Sequence, residues 1–237
     1  MPEAKTIKVM IVEDHPLFSK GLVSLITGAG RSGYTVIGEA VNLSEAMKIA
    51  QQEKPALAIV DIGLGKENGM DIIPQLKSLD PDMVILVLST HDERYYSERV
   101  LRLGARGYIM KTESPAKVLE AIKTVMAGKV YLSDSERERI FEAMTGKNQQ
   151  GAKDWADSIR KLSDREIQVF SCVGEGMGTA EIAGKFNLSA KTIDTHKEHI
   201  KLKLHCDSSN ELRRLAIEWV NHPDLPYHRE NPIVQEK

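Results

Sequence analysis

The chain is poor in three things, and each scarcity closes off a class of protein. It holds only two cysteines, Cys172 and Cys206, in 237 residues, too few for the disulfide framework of a small secreted domain. Both fall in stretches that read as helix or helix end, so reduced thiols are expected, with Cys172 as a small core residue. No apolar stretch approaches the roughly 20 residues that spanning a bilayer requires, which predicts no membrane partner. The run from Met1 to Lys5 is polar and the apolar run after it is short, so no secretory leader is expected and the predicted compartment is the cytoplasm. An excess of charge of one sign is missing too. The net charge is −2, so no global basic field advertises nucleic acid. Residues 1–130 carry 16 basic and 16 acidic side chains, residues 131–158 carry 4 and 6, and residues 159–222 carry 10 and 9, with four of the seven histidines.

What is present suits two domains. The length exceeds one average domain, and 41% hydrophobic with 28% charged residues supplies ordinary cores. Residues 7–12, 35–40, 57–61, 83–89 and 107–110 read as strands, and 16–27, 44–53, 70–79, 93–103 and 114–128 show helical spacing between and after them. Alternation of this kind predicts an α/β fold, a doubly wound five-stranded parallel sheet with helices on both faces. The run 83–89 is apolar until Ser89, as a strand buried on both faces is. Gly28 to Gly33 reads as a mobile surface loop without the order of a phosphate loop. Beyond Gly128 the pattern changes: a helix over 133–144 opened by Ser133 and Glu136 as a capping box, then a linker around 145–151. From 159 all is helical, over 163–174, 179–186, 189–204 and 208–221, until the proline-bearing tail after Pro223. The expected divisions are 1–130, a partly helical linker 131–158, a helical domain 159–222 and a loosely ordered tail 223–237.

The chemistry sits at the strand ends. Glu13 and Asp14 close the first strand, Asp61 the third, Ser89 the fourth and Lys111 the fifth. In open α/β sheets the carboxyl edge is where sites form. Three facing carboxylates repel one another, and a hard cation such as Mg²⁺ removes that repulsion while taking one or two carboxylates, waters and phosphate oxygens. Asp61 is then left as a nucleophile toward phosphorus, with Lys111, Mg²⁺ and the Ser89 hydroxyl to stabilise equatorial charge. For Tyr108 a half-buried strand aromatic is the plain alternative. His15, beside Pro16, reads as a residue shaping a helix entrance.

The stretches Ile11-Val12-Glu13-Asp14-His15-Pro16-Leu17-Phe18, Val60-Asp61-Ile62-Gly63, Asn68-Gly69, Leu88-Ser89-Thr90 and Gly104-Ala105-Arg106-Gly107-Tyr108-Ile109-Met110-Lys111 resemble the receiver domain of two-component response regulators, over residues 7–128. The resemblance implies that Asp61 accepts a phosphoryl group from a sensor histidine kinase, and that Glu13, Asp14, Asp61 and the Gly63 carbonyl bind Mg²⁺. It also implies that Ser89 and Tyr108 are a switch pair. Gly65 and Thr112 stand where the family often has proline; the first predicts a looser loop, and the second leaves open whether the Lys111–Thr112 bond is cis or trans.

In the second half, Ser163 and Glu166 form a capping-box signature. A short helix (179–186), a tight turn (Asn187-Leu188-Ser189) and a longer helix capped by Ser189 make a helix-turn-helix arrangement. Wound at 100° per residue, Ile193, Ile200 and Leu204 share one stripe. Lys191, Thr195, Glu198 and Leu202 face the other way, Asp194 and His199 flank them, and Lys197, Lys201 and Lys203 reach round toward phosphates. Lysine suits guanine and an acid suits cytosine in the major groove. The candidate DNA contacts are Lys191, Thr192, Asp194, Thr195, Lys197, Glu198, His199 and Lys201. Leu162-Ser163-Asp164-Arg165-Glu166, Thr179-Ala180-Glu181-Ile182-Ala183 and Leu188 to His196 resemble the DNA-binding domain of the LuxR/NarL group, over about 159–221. Joined, the modules resemble a NarL/FixJ-type response regulator. That implies a homodimer on activation, binding double-stranded DNA at promoter sites. An aspartyl-phosphate phosphatase would commonly carry a second acid where Gly63 stands, so no enzyme with an external substrate is expected. A phosphorylation-controlled adaptor that does not touch DNA is the other rival.

Overall fold

The computed structural model describes residues 6–28, 33–64, 69–91, 93–145, 158–159 and 161–221. The Gly28–Gly33 loop, the loop containing Gly65, the 145–151 linker and the tail fall largely or wholly outside them. Two compact units result, Met1–Arg139 and Ile140–Lys237.

In the first unit the strands are β1 (Ile7–Val12), β2 (Tyr34–Ala40), β3 (Leu57–Val60), β4 (Val84–Ser89) and β5 (Gly107–Met110). They form one parallel sheet in the order β2-β1-β3-β4-β5. The order reverses direction between β1 and β3, and in open α/β sheets sites form at the carboxyl ends of the strands at such a reversal. β3 is buried throughout and β4 nearly so, because the sheet has helices on both faces. The helices are α1 (Pro16–Gly28), α2 (Leu43–Glu53), α3 (Ile72–Leu79), α4 (Glu93–Arg102), α5 (Pro115–Met126) and α6 (Asp134–Thr145), the last ending past Arg139. One face of the sheet packs Val9, Ile11, Ile59, Leu86 and Leu88 against Leu22 and Ile26 of α1 and Val118, Ile122 and Val125 of α5. Local signals set the helix starts: Asn42 accepts the Glu45 N–H at 2.9 Å, and Ser114 precedes Pro115 at the first helical position.

Two departures from the sequence expectation have physical causes. The helix expected over 70–79 begins as a 3-10 turn, Gly69–Asp71. A Cβ on Gly69 would lie 2.5 Å from Ile62 Cα and 2.6 Å from the Asp61 carbonyl oxygen. Glycine therefore lets this turn close against the backbone of the acid site. The capping box expected at Ser133 forms only by half. The Ser133 hydroxyl accepts the Glu136 N–H at 3.1 Å, but the Ser133 N–H donates to Glu93 at 2.9 Å and Glu136 points elsewhere.

The second unit holds α7 (Asp164–Gly174), α8 (Thr179–Phe186), α9 (Ala190–Leu204) and α10 (Ser209–Asn221). Ser163 and Glu166 complete a reciprocal capping box at α7, Asn187 ends α8 in the left-handed region at φ 53°, and Ser189 caps α9 through the Thr192 N–H at 3.0 Å. α7 and α10 pack so closely that a Cβ on Gly174 would come 2.3 Å from the Ala216 carbonyl oxygen. Phe170 and Trp219 meet in this core with ring centres 5.4 Å apart. Both cysteines are free thiols; Cys172 is buried and its pKa is raised by that burial. No helix among the described residues is long and apolar enough to cross a membrane.

Candidate functional site

The reversal of strand order brings Glu13, Asp14, Asp61, Ser89 and Lys111 to one edge of the sheet. Asp61 follows the wholly buried β3 and is itself only 3% exposed. Its Oδ1 accepts the Gly63 N–H at 2.8 Å, and its Oδ2 accepts from the Lys111 ammonium at 2.8 Å. The same ammonium lies 2.5 Å from Glu13 Oε2, so Lys111 bridges two buried carboxylates. Phe18 of α1 supports it from the side, with the ring centre 4.6 Å from Nζ.

Oxygen atoms of Glu13, Asp14 and Asp61 and a ring nitrogen of His15 lie within 4.8 Å of one another. With three carboxylates against one ammonium, the cluster carries excess negative charge, and its oxygen-rich donor set fits a hard divalent cation. His15 belongs to the cluster, as its sequence reading did not foresee. Its Nδ1 edge is 2.9 Å from Glu13 Oε1 and 2.9 Å from Asp14 Oδ1, with the ring largely exposed. The signal was its place directly after the two acids.

Ser89 is fully buried, and its Oγ accepts the His91 N–H at 3.3 Å. Tyr108 is fully buried rather than half-buried, and its hydroxyl donates to the His91 carbonyl at 2.6 Å. Both expected switch residues therefore hold one loop, the segment joining β4 to α4. The His91 ring stacks on Tyr96 with centres 5.0 Å apart. No peptide bond among the described residues is cis, so the Lys111–Thr112 bond is trans.

On α9 the packed stripe is as expected: Ile193, Ile200 and Leu204 are its buried residues. Lys191, Asp194, Thr195, Glu198 and His199 are exposed, and Leu202 is 72% exposed. Thr192 lies closer in, its hydroxyl 2.8 Å from that of Ser189. The lysines expected to reach for phosphates are already engaged. Lys197 donates to the Thr179 hydroxyl at 2.7 Å, which in turn donates to Asp194 at 3.3 Å. Lys201 pairs with Glu198 at 2.7 Å, and Lys203 with Glu166 at 2.6 Å. Burial opposes the charge on Glu166, but the Lys203 and Ser163 hydrogen bonds outweigh it and lower its pKa. This carboxylate joins the foot of α7 to the end of α9, fixing the angle at which the exposed face is presented.

Two family models match the chain: the response regulator receiver domain over residues 9–123 and the LuxR family of bacterial regulatory proteins over residues 160–216. A Pseudomonas aeruginosa protein named as a transcriptional regulator is 37% identical over 201 residues, covering 85% of this chain and 92% of that protein. BvgA of Bordetella pertussis, named as a positive transcription regulator of virulence factors, is 35% identical over 209 residues, covering 88% and 96%. Among solved structures, RcsB from Salmonella enterica serovar Typhimurium, bound to the promoter rprA in the presence of the phosphomimetic BeF₃⁻, superposes with a TM-score of 0.61 at 22% identity, covering 90% of this chain and 98% of that one.

Proposed function

Because the chain belongs to the LuxR/NarL family of response regulators, phosphorylation-controlled regulators of transcription, we propose that Asp61 is its phosphoacceptor and α9 its DNA-reading helix. The observation that carries the first assignment is the buried Asp61 carboxylate, held at 2.8 Å by Lys111 beside two further acids. The donor is the phosphohistidine of a sensor histidine kinase. A carboxylate oxygen of Asp61 attacks phosphorus, the new O–P bond forms as the N–P bond breaks, and the departing imidazole takes up a proton. Glu13, Asp14, Asp61 and the Gly63 carbonyl would hold Mg²⁺, which supplies charge neutralisation between the acids and the incoming phosphoryl oxygens. The Lys111 ammonium moves from carboxylate to phosphoryl oxygen, and the Ser89 hydroxyl turns from the His91 N–H toward another. Leu17, exposed beside the site in a groove lined by Phe18, Leu22 and Val118, offers apolar surface for the kinase to cover.

The output is a homodimer whose α9 helices enter the major grooves of promoter DNA. The exposed α9 face supports this, as does the promoter-bound structure of the RcsB neighbour. Lys191, Thr192, Thr195 and Lys197 face backbone and bases, with His199 and Lys201 at the margin. Asp194 and Glu198 select bases rather than add affinity. The protein acts in the cytoplasm and turns over no external substrate; with Gly63 where a phosphatase would place its acid, only slow self-dephosphorylation is expected. A small-molecule phosphodonor with Mg²⁺ tests the site. The protein should gain one phosphoryl group, and Asp61→Asn should gain none. Equal labelling of the variant would move the acceptor elsewhere.

A further inference from the structure

Two buried carboxylates outside the acid site, Glu93 and Glu136, fasten the start of α6 to α4. Glu93 accepts the Ser133 N–H at 2.9 Å. The fully buried Ser97 hydroxyl donates to Glu136 Oε1 at 2.5 Å. Arg139 donates to both Glu136 oxygens, from Nε and Nη2, at 2.6 Å each. A carboxylate as enclosed as Glu136 must be paired, and its hydrogen bond to Arg139 in turn raises the pKa of the guanidinium. Just upstream, the Tyr108 N–H donates to the Tyr131 carbonyl at 3.0 Å and the Tyr131 N–H to the Arg106 carbonyl at 3.0 Å. A Cβ on Gly107 would come 2.9 Å from that Tyr131 oxygen. The segment from Tyr131 to Arg139 is thus held at two places, β5 and α4. Each place is one step from the acid site. The Tyr108 hydroxyl and the Ser89 Oγ both hold His91, and α4 begins two residues later, at Glu93.

We propose that this α4–α6 clasp, Ser97–Glu136–Arg139 with Glu93–Ser133, is the contact through which the phosphoryl state reaches the segment leading to the DNA-binding domain. It is made in the phosphoryl-free arrangement and released on phosphorylation. The inference rests on the reading of Asp61 as phosphoacceptor. When the Ser89 hydroxyl turns to a phosphoryl oxygen it gives up the His91 N–H, and the loop carrying His91 is free to move with the first turn of α4. The charge-assisted Ser97–Glu136 hydrogen bond is the one that runs from α4 to α6, and because such bonds are directional a shift of the first turn of α4 would break it. Coupling is reciprocal: a clasp that phosphorylation opens must itself weaken binding at Asp61.

The test measures binding of beryllofluoride, a phosphoryl mimic, in Mg²⁺ by calorimetry on the full chain. Wild type is compared with Ser97→Ala, Glu136→Gln and Asp61→Asn. Ser97→Ala should bind the mimic roughly fivefold or more tightly than wild type. In wild type, amide exchange over 131–139 should quicken when the mimic is bound. Ser97→Ala leaves the Glu136–Arg139 pair in place, so it carries the test even if Glu136→Gln does not fold. A folded Ser97→Ala protein with unchanged or weaker affinity overturns the clasp. A wild type that binds no beryllofluoride, or an Asp61→Asn variant that binds it equally well, overturns the Asp61 reading instead, and the clasp's role with it.

Discussion

Replacing Lys111 with methionine keeps a long stem against Phe18 and removes one charge. Its effect follows from the charges around it. The ammonium bridges Glu13 at 2.5 Å and Asp61 at 2.8 Å, with all three side chains at most 7% exposed. Without it, two buried carboxylates with oxygens within 4.8 Å of one another repel by about 3.5 kcal/mol at an effective dielectric of about 20. That agrees with the 3–5 kcal/mol typical of removing one partner from a buried ion pair. At roughly 3–4 °C per kcal/mol for a unit of this size, a cost of about 3 kcal/mol lowers the melting temperature of the receiver by about 9–12 °C in chelator. Mg²⁺ should reverse much of this, because the same carboxylates then share a divalent charge with no lysine to displace; saturation at a hundredfold excess over Kd returns about 2.7 kcal/mol. The assay is thermal unfolding of wild type and Lys111→Met, with and without Mg²⁺. A variant that melts like wild type in chelator, or a Mg²⁺ response equal in both proteins, would refute the reasoning.

Further outcomes follow from the same geometry. Gly69→Ala should cost about 1–3 kcal/mol and slow phosphorylation, since its Cβ would collide with the backbone of Asp61 and Ile62; a variant matching wild type in denaturant titration and labelling rate would contradict this. Gly174→Ala should destabilise the DNA-binding domain by a similar ~1–3 kcal/mol, read as a lower urea midpoint for that unit alone. The His196 pKa is lowered by burial, so the unfolded chain binds a proton more readily than the folded one. Its stabilising share is present above the ordinary histidine value and is lost as pH falls below it. His196→Gln should flatten that decline in unfolding experiments from pH 7 to 5.5. Lys191→Ala combined with Lys197→Ala should weaken binding across DNA sequences and reduce the slope of log K against log salt by about 2; an unchanged slope would remove these lysines from the phosphate contacts.

The acid site was legible in the sequence, His15 apart, because Glu13, Asp14, Asp61, Ser89 and Lys111 stand at the ends of apolar runs, and parallel strands bring their ends to one edge whatever the helices do. The helix-turn-helix was legible because its turn and the Ser189 cap are local, as is the Ser163 cap of the helix before it. Glu136 shows where this stops. Serine followed three residues later by glutamate signals a capping box, and the same residues satisfy that signal at Ser163. At Ser133 the carboxylate instead goes to Ser97, 39 residues away, a partner that no local pattern can reveal. Gly69 is similar, since its need for a missing side chain comes from Ile62 lying across it. Lys197 lies near the packed stripe on the helical wheel, but its bond to Thr179 depends on how α8 crosses α9.

The measurement that bears most directly on the whole account is DNA binding by wild type and Asp61→Asn, each with and without a phosphodonor in Mg²⁺, on fragments captured from the genome. Wild type should bind more tightly once phosphorylated, with salt-dependent affinity, and Asp61→Asn should not respond. A variant that responds as wild type does, or salt-insensitive binding in both states, would contradict it.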